Sequence, residues 1–186
     1  MNIQFLIIDT ETAGLPKRGE QLKINKWPRL IKLSWLTADK DYTQLSSKSF
    51  FIKPEDFSIS NDTTRYNGIT NEMLSDNGLP IRDVLNYFIK DSLQSQYVVG
   101  HNLNFISNVI DCEFERIKSD YRLNLVLHFC TMKGSKNFLD LDKLPSLNEL
   151  YNLLFMTRIN SIINRPYSDT EMTLKCFKKV LHISRK

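Results

Sequence analysis

Apolar and polar positions along the chain alternate between two periods. "IQFLIID" (3–9) is a nearly continuous apolar run ending on a carboxylate, which suits a strand buried on both faces. "RLIKLSWL" (29–36) alternates apolar and polar, and "SFFIK" (49–53) follows a polar connection, so a three-strand meander is expected. Pro80 opens a helix whose apolar positions Ile81, Val84, Leu85, Phe88 and Ile89 recur at helical spacing. "QYVVG" (96–100) reads as a short strand. A helix from Leu103 to about Lys118 then places Ile106, Val109, Ile110, Phe114 and Ile117 on one stripe. "LNLVLHF" (123–129) predicts a fifth strand. "SLNELYNLLF" (146–155) opens with a Ser146–Glu149 capping box behind Pro145, and a last helix spans about Pro166 to His182. Strands first, then alternating helices and strands, point to an α/β or α+β sheet with helices packed on its faces.

Composition adds little to this picture. A chain of 186 residues with 41% hydrophobic content is expected to form a single domain, 1–186, with a real core. Cys112, Cys130 and Cys176 show no paired spacing, as in a reduced, cytoplasmic protein rather than a disulfide scaffold. The N-terminal apolar run is broken by Asp9, so it reads as a strand and not a signal peptide, and no stretch is long enough to span a membrane. A net charge of +4 tolerates a nucleic-acid partner without demanding one.

Chemistry enters at "IIDTET". Asp9 and Glu11 are two residues apart on a strand, so both carboxylates point the same way. Like charges side by side repel unless a cation intervenes, and hard divalent ions favour such oxygens. A lone Asp-x-Glu is ordinarily just an acidic turn, so a third, distant carboxylate has to converge on it. Asp169 is the candidate. It shares a helix face with Met172, Thr173, Cys176, Phe177, Val180 and Leu181, the stripe that must pack on the sheet. Its ordinary reading is a first-turn acid, with Ser168 and Glu171 forming a capping box and Glu171 facing solvent.

"IDTETAGLP", "WPRLIKLSW", "NGIT", "GHNLNF", "PSLNEL" and "SDTEMTLKCF" together resemble the DnaQ-like 3′–5′ exonucleases, relatives of the proofreading epsilon subunit of bacterial DNA polymerase III. The resemblance covers nearly the whole chain. It implies an RNase H-like fold, a central five-stranded mixed sheet with helices on both faces. It also implies phosphodiester hydrolysis at single-stranded 3′ ends of DNA or RNA with Mg²⁺ or Mn²⁺, and it allows a polymerase subunit as partner. Asp9, Glu11 and Asp169 match three acids of the family and would hold the first ion. Thr12, Ala13, Gly14 and Leu15 fall on the turn that approaches the terminal nucleotide. His101, Asn102 and Phe105 match the second motif, where His101 and Asn102 are expected to brace the loop. Trp27, Arg65 and Lys133 are candidates for backbone contact.

Two positions depart from the pattern. Ile106 stands where the second motif has its acid, and Asn164 stands where the third has its general-base histidine. Ile106 offers no ligand, so a second ion is doubtful, and it completes the apolar stripe with Val109 and Ile110. Asn164 can orient a water but accepts no proton near neutral pH. Asn104, Asn108 and Asp111 point elsewhere around the helix, and the phenol of Tyr167, near Asp169, is a poor base. Two readings stay open: a weakened exonuclease, or a pseudo-exonuclease that binds nucleic acid or a polymerase.

Overall fold

The computed structural model describes residues 3–16, 27–123, 127–160 and 167–184. Five strands form one mixed sheet: β1 (Phe5–Thr12), β2 (Leu30–Ala38), β3 (Gln44–Phe51), β4 (Tyr97–Gly100) and β5 (Leu127–Cys130), in the spatial order β3-β2-β1-β4-β5. β1, β2 and β3 are antiparallel neighbours, and β4 and β5 run parallel to β1. The expected α/β architecture, a five-stranded mixed sheet with helices on both faces, is observed.

β1 is central in the order and apolar on both sides, so its alternation decides where everything else goes. Leu6 and Ile8 pack with Trp35, Val98 and Ile110 beneath α3 (Ile81–Ser92) and α4 (Leu103–Arg116). Phe5 and Ile7 turn to the other face and pack with Leu36, Val99, Leu174 and Phe177 of α7 (Asp169–Ser184). The same phase puts Asp9 and Glu11 on the α7 face, just past the apolar pair. Behind α7, Met172, Cys176 and Val180 meet Leu147, Leu150 and Tyr151 of α6 (Leu147–Phe155). On the far side, Asp91 of α3 accepts hydrogen bonds from Trp35 Nε1 and Lys48 Nζ, each at 2.7 Å, tying that helix to β2 and β3.

Three helices escape the periodicity: α1 (Asn61–Asn67), α2 (Asn71–Asn77) and α5 (Thr131–Phe138). α1 buries no residue and α2 only Leu74, so neither can show an apolar stripe. They are held by side-chain caps at Ser60 and Thr70 instead. The Ser146–Glu149 capping box of α6 forms as expected. β3 begins earlier than 49–53, at Gln44, because its polar residues sit on a sheet edge with little burial. Residues 124–126 of the predicted fifth strand lie outside the described residues.

The second motif has backbone reasons for its residues. A Cβ on Gly100 would sit 3.0 Å from Leu103 Cδ1 and 3.1 Å from Ile106 Cδ1, so any larger residue there would have to displace these two side-chain ends where α4 packs on β4. Asn102 adopts φ 63°, the left-handed turn that Asn tolerates best among residues with a side chain. Trp27, suggested above for backbone contact, is instead 7% exposed and packs on Phe105 at 5.7 Å between ring centroids.

The chain re-enters β2 over a buried carboxylate. Glu113 of α4 is 1% exposed, and its Oε1 accepts from Arg29 Nε at 3.1 Å, Arg116 Nη1 at 2.7 Å and the Leu30 amide at 3.0 Å. Arg116 Nη2 also donates to the Trp27 carbonyl at 2.9 Å. Removing one partner of such a buried network costs about 3–5 kcal/mol. Glu113→Ala is therefore expected to lower the unfolding free energy, read by urea titration, by that order, and a loss below about 1 kcal/mol would contradict the anchoring role.

Candidate active site

Asp9 and Glu11 leave β1 on the face that α7 covers, and α7 begins with Asp169. One carboxylate oxygen from each of the three lies within 4.8 Å of the others. Their convergence follows from packing. Leu174 and Phe177 fix α7 on Phe5 and Ile7, which carries the first turn of the helix over the end of β1. The Ser168–Glu171 box closes that turn: Ser168 N donates to Glu171 Oε2 at 2.8 Å and Glu171 N to Ser168 Oγ at 3.4 Å. Glu171 is half-buried rather than fully solvent-facing, because the box holds it at the cavity rim.

Burial pushes the Asp9 carboxyl well above the usual carboxylate range, and the charges of Asp169 and Glu11 add to the rise. Lys32 and a hydrogen bond at Thr10 act the other way. Asn67 Nδ2 donates to Glu11 Oε2 at 3.5 Å. Three clustered hard oxygen donors with an unmet need for positive charge fit a divalent cation. Among the described residues this is the one such cluster of His, Cys, Asp and Glu.

Two adjoining cavities share the three carboxylates. One, of about 490 Å³, is lined by Thr12, Gly14, Leu15, Tyr66 and Phe105 beside them. Leu15 and Tyr66 are 84% and 73% exposed at its mouth, large apolar surfaces left without a partner. The other, of about 590 Å³, runs over β2 and β3 along Lys32, Ser34, Ser49 and Phe51 and under Tyr167. Ala13 contributes backbone: its amide donates to the Arg29 carbonyl at 2.9 Å and its carbonyl accepts from Thr63 Oγ1 at 3.2 Å, so the turn is pinned.

Other expected site residues lie apart from the carboxylates. His101 bridges Thr131 Oγ1 and the Pro145 carbonyl, both at 3.0 Å, which braces α5 and α6 against the loop after β4. Asn102 supplies the bend described above. Ile106 is 3% exposed and packs in the core beneath the sheet with Leu103 and Val109. Asn104, Asn108 and Asp111 line a separate depression with His128 and Lys133. Among the described residues no histidine lines either carboxylate cavity. Asn164 lies outside the described residues. Lys32, Tyr66 and Asn67 are additions that sequence reasoning missed. Lys32 looked like the polar half of an alternating strand, and Tyr66 directly precedes the quoted "NGIT", of which Asn67 is the first residue.

The raised Asp9 carboxyl has a sign that can be checked. The folded protein holds that proton more tightly than the unfolded chain, so metal-free stability falls as pH rises from the ordinary Asp range towards the raised value. Asp9→Asn is expected to abolish that fall and to raise the metal-free melting temperature, by roughly 2–4 °C per kcal/mol of relieved repulsion. It is also expected to remove stabilisation by Mn²⁺, which for the wild type reaches about 2.7 kcal/mol at a hundredfold excess over Kd. Calorimetry with EDTA and with Mn²⁺ reads both; an Asn variant still stabilised by Mn²⁺ would contradict the site.

The Exonuclease family (RNase_T) matches the chain over residues 6–177. Among solved structures, exonuclease X in complex with 5′-overhanging duplex DNA is 22% identical with a TM-score of 0.69, covering 98% of this chain and 94% of that one. E. coli exonuclease I, in a zinc-bound complex with single-stranded DNA, is 16% identical with a TM-score of 0.71 over 95% of this chain and 40% of its own. Exonuclease I from Methylocaldum szegediense is 16% identical with a TM-score of 0.69, over 96% and 40%. The chain thus spans nearly all of exonuclease X and less than half of these exonuclease I chains. No curated protein matches it. The matched family over almost the full length, on an RNase H-like sheet with its acids gathered at one end, makes this chain a member of the DnaQ-like 3′–5′ exonuclease family.

Proposed function

We propose that the chain, as a single domain over residues 1–186, is a weakened 3′–5′ exonuclease acting on single-stranded 3′ ends of DNA or RNA. The observation that carries this reading is the convergence of Asp9, Glu11 and Asp169. A divalent ion there, Mg²⁺ or Mn²⁺, would make a bound water more acidic and offset charge on a scissile phosphate. The residues do the rest. The Leu15, Tyr66 and Phe105 cavity offers apolar faces on which a terminal base can stack. Thr12, Ala13 and Gly14 hold the turn that sets its depth. The solved neighbours bound to single-stranded or overhanging DNA support that substrate class.

The weakening follows from two side chains. Ile106 is committed to the core, where burying it contributes about 1.5–3 kcal/mol, and gives a second ion no ligand. Without a histidine at Asn164, the attacking water lacks a positioned base, which costs about 10²–10⁴-fold in rate. The buried Ile106 also favours a second reading, a pseudo-exonuclease that binds nucleic acid or a polymerase subunit. A 3′-labelled oligonucleotide with Mg²⁺ or Mn²⁺ separates them. Slow wild-type degradation, abolished by Asp9→Ala and accelerated about a hundredfold by Asn164→His, is expected. An inert wild type with an inert Asn164→His variant would favour the binding module. Ile106→Asp buries a carboxylate, so that variant is expected to lose stability as well, and its fold needs checking by circular dichroism.

A further inference from the structure

Lys32 occupies the neighbouring strand directly opposite Glu11, and Ser34 stands opposite Asp9 in the same register. Paired residues on antiparallel strands share a face, so Lys32 projects from the same side of the sheet as the catalytic-site acids. Its surroundings leave its charge available. Its Nζ lies 5.7 Å from the Phe51 ring centroid, which holds the side chain at the cavity wall, and it forms no ion pair among the described residues. Lys48 also borders this cavity, but its ammonium is bonded to Asp91 on the opposite face. Ser34 and Ser49 are hydrogen bonded to each other at 2.9 Å, so that strip of the wall is neutral apart from Lys32.

We propose that Lys32 contacts substrate: its ammonium binds a phosphate oxygen of a strand seated on Asp9, Glu11 and Asp169, and supplies positive charge that a second metal ion would otherwise bring. The inference rests on the nuclease reading above. Three carboxylates and one dication leave the site net negative, which repels a phosphodiester. One lysine brings it to neutrality. Ile106 provides no acid to retain a second dication, so the fixed cation compensates for a lost exchangeable one.

The same charge acts with opposite sign on two ligands, which separates this role from a structural one. Lys32→Met is expected to tighten Mn²⁺ binding, followed by the electron paramagnetic resonance signal of the free ion, by roughly threefold to tenfold. It is expected to weaken binding of a 5′-fluorescein pentathymidylate in Ca²⁺ by about tenfold and to reduce the log–log salt slope by about 0.7, one single-strand phosphate contact. Lys32→Arg is expected to preserve both affinities. A Lys32→Met protein that binds both ligands as wild type does, or loses both together, overturns the proposal. Wild type that takes Mn²⁺ but no oligonucleotide at low salt overturns the nuclease reading and this inference with it.

Discussion

Asp9 stands on the central strand, just past the segment that is enclosed on every side. β2 pairs along the whole of β1 and β4 over Phe5–Ile8, α4 and α7 pack above and below it, and the apolar residues before Asp9 fix its phase. A one-residue slip would exchange the two faces of the strand and put Leu6 and Ile8 where Phe5 and Ile7 now pack. Asp9 and Glu11 are therefore held on one face of the sheet, the face on which Asp169 opens α7. Their repulsion is imposed by the core, and it adds to the burial that raises the Asp9 carboxyl. A site of this kind is formed before any cation arrives, so binding requires little rearrangement.

The same core separates the three carboxylates from Ile106. Asp9, Glu11 and Asp169 belong to the α7 face, and the packing of Leu174 and Phe177 holds them together. Ile106 belongs to the α4 face, where it fills space beneath Gly100. An apolar residue at that position packs the scaffold and offers a cation no ligand atom. The side of the site nearest β2 offers a lysine where the α4 side offers nothing, and the balance of charge shifts across the sheet accordingly.

Much of this was legible in the sequence because it depends on periodicity. The two-sided burial of β1, the stripe on α7 and the pairing of Asp9 with Glu11 follow from side-chain alternation alone, and Asp169 was placed by counting along one helix. The burial of Ile106 was likewise readable from its stripe with Val109 and Ile110. What escaped needed register or short-range capping. Lys32 faces Glu11 only because β2 pairs with β1 in one alignment, which no local pattern announces. α1, which carries Tyr66 and Asn67 to the cavity, and the following α2 are two turns long and almost unburied, so they leave no hydrophobic trace. Trp27 is a candidate for nucleic-acid backbone contact by sequence, yet the Glu113 network draws its carbonyl inward and its ring packs onto Phe105.

The central claim is that a preformed trio of carboxylates holds one divalent cation and that the α4 side holds none. Anomalous diffraction from a crystal soaked in Mn²⁺ addresses it directly. A single manganese peak with Asp9, Glu11 and Asp169 oxygens as ligands is the expected result. No peak at the trio, or a second fully occupied peak on the Ile106 side, would contradict the account.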